Sequence, residues 1–192
     1  DKSRRSIKKA LSTQKSNLSL FYDNKYGSYK RLEKLINKWE SNIAKHPDLD
    51  ISCFFISIDN QVYAEISSEM ELPAASSIKV PILIILLTML DRGEIAWDEE
   101  LTLTENTIGS GSGWMAYQEI GEKFPMYEVA SEMIRVSDNT ATNLLIERLG
   151  GVKIINQKFK EIGLKKTQIN NFLPDLDGTN LTSTRDLSLA MA

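Results

Sequence analysis

Two short motifs in the sequence combine residue types that perform nucleophilic acyl chemistry. The first is Ser76-Ser-Ile-Lys79, and the second is Ser137-Asp-Asn139. Residues three apart on a helix share a face, so the Lys79 ammonium would reach the Ser76 hydroxyl. A serine hydroxyl needs a neighbouring base before it attacks an acyl carbon, and a lysine serves when burial lowers its pKa. The spacing therefore makes Ser76 a candidate nucleophile and Lys79 a candidate base.

The second motif supplies two further polar side chains for the same reaction. Ser137 would relay a proton between Lys79 and a leaving nitrogen, and Asn139 would hold Lys79 and a substrate carbonyl or amide. A helix that begins near Ser76 would also offer backbone N–H groups to an oxyanion. The competing interpretation is structural: Ser76 caps a helix, Lys79 lies on the surface, and residues 137–139 form a capping loop. Spacing alone leaves both open.

Context separates one copy of the first motif from the others. Ser-x-x-Lys occurs three times, also at residues 6–9 and 12–15, where a basic segment offers nothing to desolvate a lysine. Only Ser76 precedes a long apolar run. The single histidine, His46, follows a helical pattern, and no Ser-His-Asp triad is visible around it.

Hydrophobic spacing and turn residues predict an α+β chain. Apolar residues recur at helical spacing from Leu32 to Ile43. Residues 51–66 hold two β-branched and aromatic runs around a short polar turn, which predicts an antiparallel hairpin. Residues 76–162 predict a mainly helical region, whose first helix, Ser76–Leu90, is apolar nearly all round and should be deeply buried. Further helices are expected at 126–136, 139–149 and 152–162, and from Ser183 onward.

Two other features receive structural interpretations. Gly109-Ser-Gly-Ser-Gly113 is neither a P-loop nor a Gly-x-Ser-x-Gly elbow, because the required lysine or central serine is missing. We interpret it as a flexible loop rim. The lone Cys53 is expected to be a core residue and cannot form an internal disulfide.

Composition excludes several classes of protein. The 192 residues are 42% hydrophobic and 26% charged, with a net charge of −3 and a pI near 5.4. This balance is globular and gives no global basic field for nucleic acid. The longest apolar run, Val80–Leu90, is shorter than the roughly 20 residues that span a bilayer. The start has no apolar segment of the kind found in signal peptides, so any leader is expected to have been removed.

The domain organisation follows from charge and pattern. Residues 1–25 read as a basic N-terminal arm, solvated or in weak contact with an anionic surface. Residues 26–192 read as one incomplete domain. Its first part, 26–75, holds a helix and the hairpin of the sheet, and its second part, 76–192, is helical.

The stretch Ile51–Ala192 resembles class A β-lactamases and the related penicillin-binding serine hydrolases. Besides both motifs and the hairpin, the resemblance includes Leu90-Asp-Arg-Gly93 and the segment Ser137–Leu145 followed by Gly150-Gly151. It implies a β-lactamase/transpeptidase-like α+β fold, in which an antiparallel sheet packs with a helical region. It also implies no metal or other cofactor, a small β-lactam or peptidoglycan peptide as partner, and a periplasmic or extracellular location.

One departure from the family concerns deacylation. The family carries Glu-Pro-x-Leu-Asn in a loop whose Glu activates the water that frees the acyl-enzyme. Here the loop reads Leu173-Pro-Asp-Leu-Asp177, so Leu173 takes the Glu position and Asp177 the Asn position. A leucine accepts no proton. Asp175 and Asp177 are the candidate surrogates; the alternative is that both carboxylates only shape the loop.

A second departure concerns the third motif of the family, Lys-Thr-Gly. Lys166-Thr-Gln168 comes too early and lacks the glycine. In the family this motif lies on a later strand that also supplies an oxyanion N–H. As written, the sheet would have two strands with an unpaired edge. We therefore expect the remaining strands and the closing helix beyond Ala192 or in a partner segment.

Three functions remain open at this point. The leading hypothesis is a β-lactamase-like serine hydrolase that forms an acyl-enzyme on Ser76 and deacylates slowly. The first alternative is a penicillin-binding D-alanyl peptidase of cell-wall metabolism. The second is a penicillin-binding or sensing domain without turnover. The catalytic assignment requires the Ser76 and Ser137 hydroxyls to lie within about two hydrogen-bond lengths of each other.

Overall fold

The computed structural model describes residues 29–192. They divide into two compact units, residues 29–68 and residues 69–191. The division lies before the expected boundary after residue 75, because the segment Leu72–Pro73 pairs with residues of the second unit. The basic arm expected at residues 1–25 lies outside the described residues. No helix in the described part of the chain is both long and apolar enough to cross a bilayer.

The first unit combines one helix with a three-stranded sheet. Its elements are β1 (Lys30–Arg31), α1 (Glu33–Ile43), β2 (Cys53–Ser57) and β3 (Val62–Ile66). β2 and β3 form the predicted antiparallel hairpin, in which Phe55 lies opposite Ala64. Cys53, expected in the core, is only half-buried, because it begins β2.

The expectation of a two-stranded sheet was wrong. β1 lies parallel to β3, and the strand order is β1-β3-β2. Two residues are too few to show the alternation of apolar and polar side chains that marks a strand in a sequence. The pairing therefore depends on the backbone of Lys30 and Arg31, which the side-chain pattern does not reveal.

The second unit contains the predicted helices. A 3₁₀ turn comes first, and five α-helices follow it. They are the turn Ala75–Ile78, α2 (Lys79–Asp91), α3 (Met126–Arg135), α4 (Asn139–Arg148), α5 (Gly151–Glu161) and α6 (Thr184–Ala190). The predicted helix start at Ser76 therefore divides into a tight turn and an α-helix. Pro81 lies in the first turn of α2, where a missing N–H costs little.

Two short antiparallel ribbons accompany these helices and were not predicted. β4 (Leu72–Pro73) pairs with β7 (Leu181–Thr182), and β5 (Glu100–Thr102) pairs with β6 (Lys123–Pro125). Strands of two or three residues leave almost no periodic pattern to detect. The region from 76 to 162 is therefore mainly helical but not wholly so.

The helix α2 lies at the centre of the second unit. It contacts α3, α4, α5 and α6. Its side chains Ile82, Ile85 and Leu86 are at most 1% exposed, as the all-round apolar pattern predicted. Burial of each such side chain contributes about 1.5–3 kcal/mol, so the helix has a fixed position. Lys79, the first residue of α2, is held in place by that packing.

Candidate active site

Ser76 and Lys79 lie on either side of the junction between the 3₁₀ turn and α2. Their spacing of three suits the turn, because side chains at i and i+3 eclipse each other in a 3₁₀ helix. The Lys79 Nζ is 3.3 Å from the Ser76 Oγ. Ser76 is exposed, whereas Lys79 is 2% exposed. The candidate nucleophile is therefore open to a ligand while the candidate base is desolvated.

Ser137 joins this pair from the link between α3 and α4. Its Oγ donates a hydrogen bond to the Ser76 Oγ at 3.1 Å. That distance meets the condition set from the sequence. The Lys79 Nζ donates to the Ser137 Oγ at 2.9 Å, to the Ser137 carbonyl oxygen at 2.7 Å and to the Asn139 Oδ1 at 2.9 Å. The four predicted side chains therefore form one hydrogen-bonded cluster.

Lys79 differs electrostatically from a surface lysine. Burial lowers its pKa to about 8, and the negative charge of Asp138 opposes this shift. A solvated lysine titrates near 10.4. The competing interpretation does not fit for Lys79, which is buried, or for Ser76, which caps no helix, but its capping loop at residues 137–139 is confirmed. The residue that caps α4 is Asp138, whose Oδ1 accepts from the Ala141 N–H at 2.9 Å.

Two residues of the site hold backbone conformations that side chains disfavour. Ala75 has φ +44° and Ser137 has φ +61°. Each such residue costs about 1–3 kcal/mol and persists only where its surroundings hold it. For Ser137, Lys79 binds both the carbonyl and the hydroxyl. These strained positions carry no residue-type signal, so the sequence did not indicate them.

Asp138 is the main site residue that the sequence interpretation missed. It is 1% exposed, and its Oδ2 accepts from the backbone N–H groups of Trp114 and Met115 at 2.7 and 2.9 Å. One carboxylate thus caps α4 and binds a loop 24 residues earlier. The sequence offered residues 137–139 as a capping loop but did not single out Asp138 as the capping residue. Nothing in the sequence signalled the contacts to the loop.

Residues 109–113, interpreted from the sequence as a flexible rim, make hydrogen bonds to the second motif. The Gly109 N–H donates to the Thr140 Oγ1 at 3.0 Å, and the Asn139 Nδ2 donates to the Ser110 carbonyl oxygen at 2.8 Å. The Asn139 N–H donates to the Ser112 carbonyl oxygen at 3.2 Å. The loop is therefore anchored to the second motif. Composition suggested mobility because glycine is permissive, but backbone hydrogen bonds fix this loop.

Leu173 is buried where the family resemblance placed a catalytic Glu. It is 6% exposed, and its peptide bond to Pro174 is cis. The Asn143 amide binds the Leu173 backbone twice, accepting from the N–H at 2.8 Å and donating to the carbonyl oxygen at 2.7 Å. Two hydrogen bonds hold the backbone at this position, whereas the leucine side chain neither accepts nor donates a proton.

The two candidate surrogate carboxylates are engaged elsewhere or exposed. Asp175 accepts from the Asn180 N–H at 2.5 Å and from the Thr179 Oγ1 at 2.8 Å. Burial raises the pKa of Asp175, but these hydrogen bonds outweigh it and leave the pKa below its ordinary value. Asp177 is solvent-exposed. Among the described residues neither carboxylate hydrogen-bonds to Ser76, which favours the loop-shaping alternative.

Comparison with known proteins agrees with this geometry. A model of the Beta-lactamase enzyme family matches residues 30–192. The chain belongs to this family. Solved structures of PBP-A are 38% and 39% identical to it, with a TM-score of 0.82 in both cases. They match 84–85% of this chain and 61–62% of their own. The 38% identical structure is a leucine-to-glutamate mutant in an acyl-enzyme complex with penicillin G.

Curated relatives include both β-lactamases and a peptidase. β-Lactamase 3 of Bacillus cereus is 31% identical over 50% of this chain and 30% of its own length. D-alanyl-D-alanine carboxypeptidase DacF of Bacillus subtilis (strain 168) is 29% identical over 55% of this chain and 28% of its own length. The matched segments thus span less than a third of these relatives. Together with PBP-A they confirm the β-lactamase/transpeptidase-like α+β fold.

Proposed function

We propose that the protein is a β-lactamase-like serine hydrolase that acylates Ser76 with a β-lactam and releases the product slowly. The supporting observation is the hydrogen-bonded cluster of Ser76, Lys79, Ser137 and Asn139. The Ser76 Oγ attacks the lactam carbonyl, its bond to that carbon forms, and the ring C–N bond breaks. The hydroxyl proton passes to neutral Lys79, and the leaving nitrogen takes one proton.

The hydrogen bonds of Lys79 favour a route for that proton. A neutral lysine has two N–H donors and one lone pair. The Ser137 carbonyl oxygen and the Asn139 Oδ1 only accept, so they take both donors. The lone pair is left for a hydroxyl, and the Ser137 Oγ at 2.9 Å is nearer than the Ser76 Oγ at 3.3 Å. On this route the Ser137 hydroxyl, which donates to Ser76 in the structure, turns to donate to the lone pair of Lys79. It then accepts the Ser76 proton and later donates a proton to the leaving nitrogen.

Slow release follows from the loop around Leu173. An acyl-enzyme ester needs an activated water for hydrolysis, and general-base help is worth about 10²–10⁴-fold. Leu173 supplies no base, and Asp175 is bound within its own loop. The penicillin G complex of a PBP-A mutant shows that a similar protein forms the corresponding adduct.

A penicillin-binding D-alanyl peptidase is the second candidate. Leu173 favours it, because the base that distinguishes a β-lactamase is missing, and the similarity to PBP-A and to DacF is consistent with it. A sensing domain that acylates once is the limiting case of the same chemistry. In each of the three candidate functions the protein binds its ligand at or outside the cell wall. A periplasmic or extracellular location is therefore part of the proposal.

Intact-mass spectrometry of the full-length protein after penicillin G treatment tests the acylation step. We expect one adduct on the wild type, none on Ser76→Ala, and an unchanged adduct on Ser77→Ala. Ser77 is the matched control, because its hydroxyl donates to the Ala74 carbonyl oxygen rather than to Lys79. An adduct on Ser76→Ala would refute the proposal. Nitrocefin turnover and release of D-alanine from a peptide then separate the three candidates.

A further inference from the structure

Each residue of the segment 138–140 is hydrogen-bonded to the loop 109–113 or to the two residues that follow it. The Asp138 carboxylate accepts from Trp114 and Met115 just after the loop, Asn139 binds the carbonyl oxygens of Ser110 and Ser112, and Thr140 binds Gly109. The segment 138–140 begins α4 and carries the amide that binds Lys79. The loop and the base therefore share the partner Asn139.

The glycines of this loop permit close approaches, which a side chain at Gly109 or Gly113 would block and a side chain at Gly111 would crowd. A Cβ on Gly113 would lie 2.0 Å from the Asp138 Oδ2, and a Cβ on Gly111 would lie 3.0 Å from the Asn139 Nδ2. Both residues have positive φ, +99° and +107° respectively. A Cβ on Gly109 would lie 2.4 Å from the Leu173 carbonyl oxygen. All three glycines thus face either the second motif or the Leu173 loop.

The loop also decides which way the Asn139 amide points. The amide has one acceptor oxygen and two N–H donors. Its oxygen accepts from Lys79, and one N–H is donated to the Ser110 carbonyl oxygen. The reverse orientation would set an NH₂ group against the Lys79 ammonium and an oxygen against a carbonyl oxygen. The observed orientation therefore leaves one N–H of Asn139 for a ligand.

We propose that loop 109–113 is the element that orients Asn139, with Gly111 and Gly113 as positioning residues. Gly111 lets the Ser110 carbonyl reach the Asn139 amide, and Gly113 lets the Asp138 carboxylate join the loop to the start of α4. The inference concerns positioning only, and its kinetic consequences rest on the proposed acylation of Ser76.

The test compares Gly111→Ala and Gly113→Ala with Gly121→Ala in the full-length protein. Gly121 is a matched control because its φ is +94° and a Cβ there meets nothing within 4 Å. The backbone strain is therefore similar, and only the two test variants press on the site. Saturation kinetics of penicillin G acylation give a saturation constant and a maximal rate. Thermal melting shows whether each variant folds.

We expect Gly111→Ala to raise the saturation constant and lower the maximal rate. The ratio of maximal rate to saturation constant should fall at least about threefold, because a full ångström of misplacement costs up to ~10²-fold and the Cβ displaces the amide by less than that. Gly121→Ala should stay within about twofold of the wild type, because a Cβ there contacts no part of the site. If Gly111→Ala acylates like Gly121→Ala, the inference is wrong, while loss of labelling in Ser76→Ala would still uphold the proposed function. If Gly113→Ala does not fold, Gly111→Ala decides alone.

A crystal structure of Gly111→Ala gives a second measurement that does not depend on acylation. We expect the hydrogen bond from the Asn139 Nδ2 to the Ser110 carbonyl oxygen to be broken and the amide to be displaced from Lys79. An Asn139 amide that still bridges Lys79 and Ser110 would overturn the inference, even in a protein that penicillin does not label.

Discussion

The loop that carries Ser137 and the loop that carries Leu173 are anchored by similar backbone hydrogen bonds, but the side chains of these two residues differ in chemistry. Lys79 binds the Ser137 carbonyl and hydroxyl, while Asn143 binds the Leu173 N–H and carbonyl oxygen. Both backbones are thus fixed by a buried polar side chain. Only Ser137 presents a group that accepts and donates a proton. Under the proposed function, the second unit therefore holds residues for both acylation and deacylation but supplies a proton-transferring side chain for acylation alone.

Removal of the base should produce the largest effect, because the first loop depends on Lys79. We expect Lys79→Ala to slow penicillin acylation about 10²–10⁴-fold, the usual contribution of a general base. Lys123→Ala is the matched control, since Lys123 pairs with Glu100 on the surface and its side chain is 58% exposed. Stopped-flow acylation rates give the comparison. Equal rates for the two variants would show that another group activates Ser76.

Addition of a base to the Leu173 loop should raise the rate of deacylation and so bring it closer to the rate of acylation. We expect Leu173→Glu to speed deacylation by about 10²-fold, at the low end for a general base because Asp177 stands where the family places a water-holding Asn. Burial at this position raises a carboxyl pKa and so suits a base. Leu173→Gln, with the same shape and no charge, should deacylate like the wild type. Lifetimes of the penicillin adduct by mass spectrometry decide, and equal lifetimes for Glu and Gln would contradict this prediction.

The sequence predicted the parts of this site that depend on side-chain type and local spacing. Ser76 and Lys79 are predicted because they lie three positions apart, and Ser137 and Asn139 because one short motif contains both. The burial of α2 was predicted from an apolar run that covers nearly every side of the helix. Each of these signals lies within a few residues of chain, where helix geometry translates spacing into distance.

The contacts that the sequence did not predict join polar side chains to backbone groups that are distant along the chain. Asp138 binds the N–H groups of Trp114 and Met115, and Asn143 binds the backbone of Leu173. Any residue except proline offers a backbone N–H, so its identity says nothing about such a contact. The glycines at 109–113 suggest a mobile loop because glycine is conformationally permissive. Their lack of side chains serves close approach, which only the three-dimensional partner reveals.

The pH dependence of acylation sharpens the role of Lys79 in the first loop. Only neutral lysine accepts the Ser76 proton, and the neutral fraction rises with pH until it passes the pKa of about 8. At low penicillin concentration the rate should therefore rise about fivefold from pH 7 to pH 8 and level off above pH 9. Asp138→Asn removes a charge that raises the pKa of Lys79, so the rise should move to lower pH. A rate independent of pH in this range would exclude Lys79 as the base.

The smallest effect on deacylation is expected at Asp175, whose carboxylate we expect to shape the Leu173 loop rather than to act as a base. Asp175→Asn should leave deacylation unchanged and lower the free energy of unfolding by about 1–2 kcal/mol, because hydrogen bonds to Asn180 and Thr179 lose their charge. The pKa of Asp175 is below its ordinary value in the fold, so its stabilisation is present above about pH 4 and is lost as pH falls further. Urea unfolding should show a larger difference between Asp175→Asn and the wild type at pH 7 than at pH 3.

Exposed Asp177 is the control for Asp175, and Asp177→Asn should change the free energy of unfolding by no more than about 0.5 kcal/mol. A slower deacylation of Asp175→Asn would make that carboxylate the replacement base. The Leu173 loop would then supply a base for deacylation, and it would differ from the Ser137 loop in the efficiency of its proton transfer rather than in lacking a proton acceptor. Unchanged deacylation in both variants would leave Leu173 as the reason that the two steps differ.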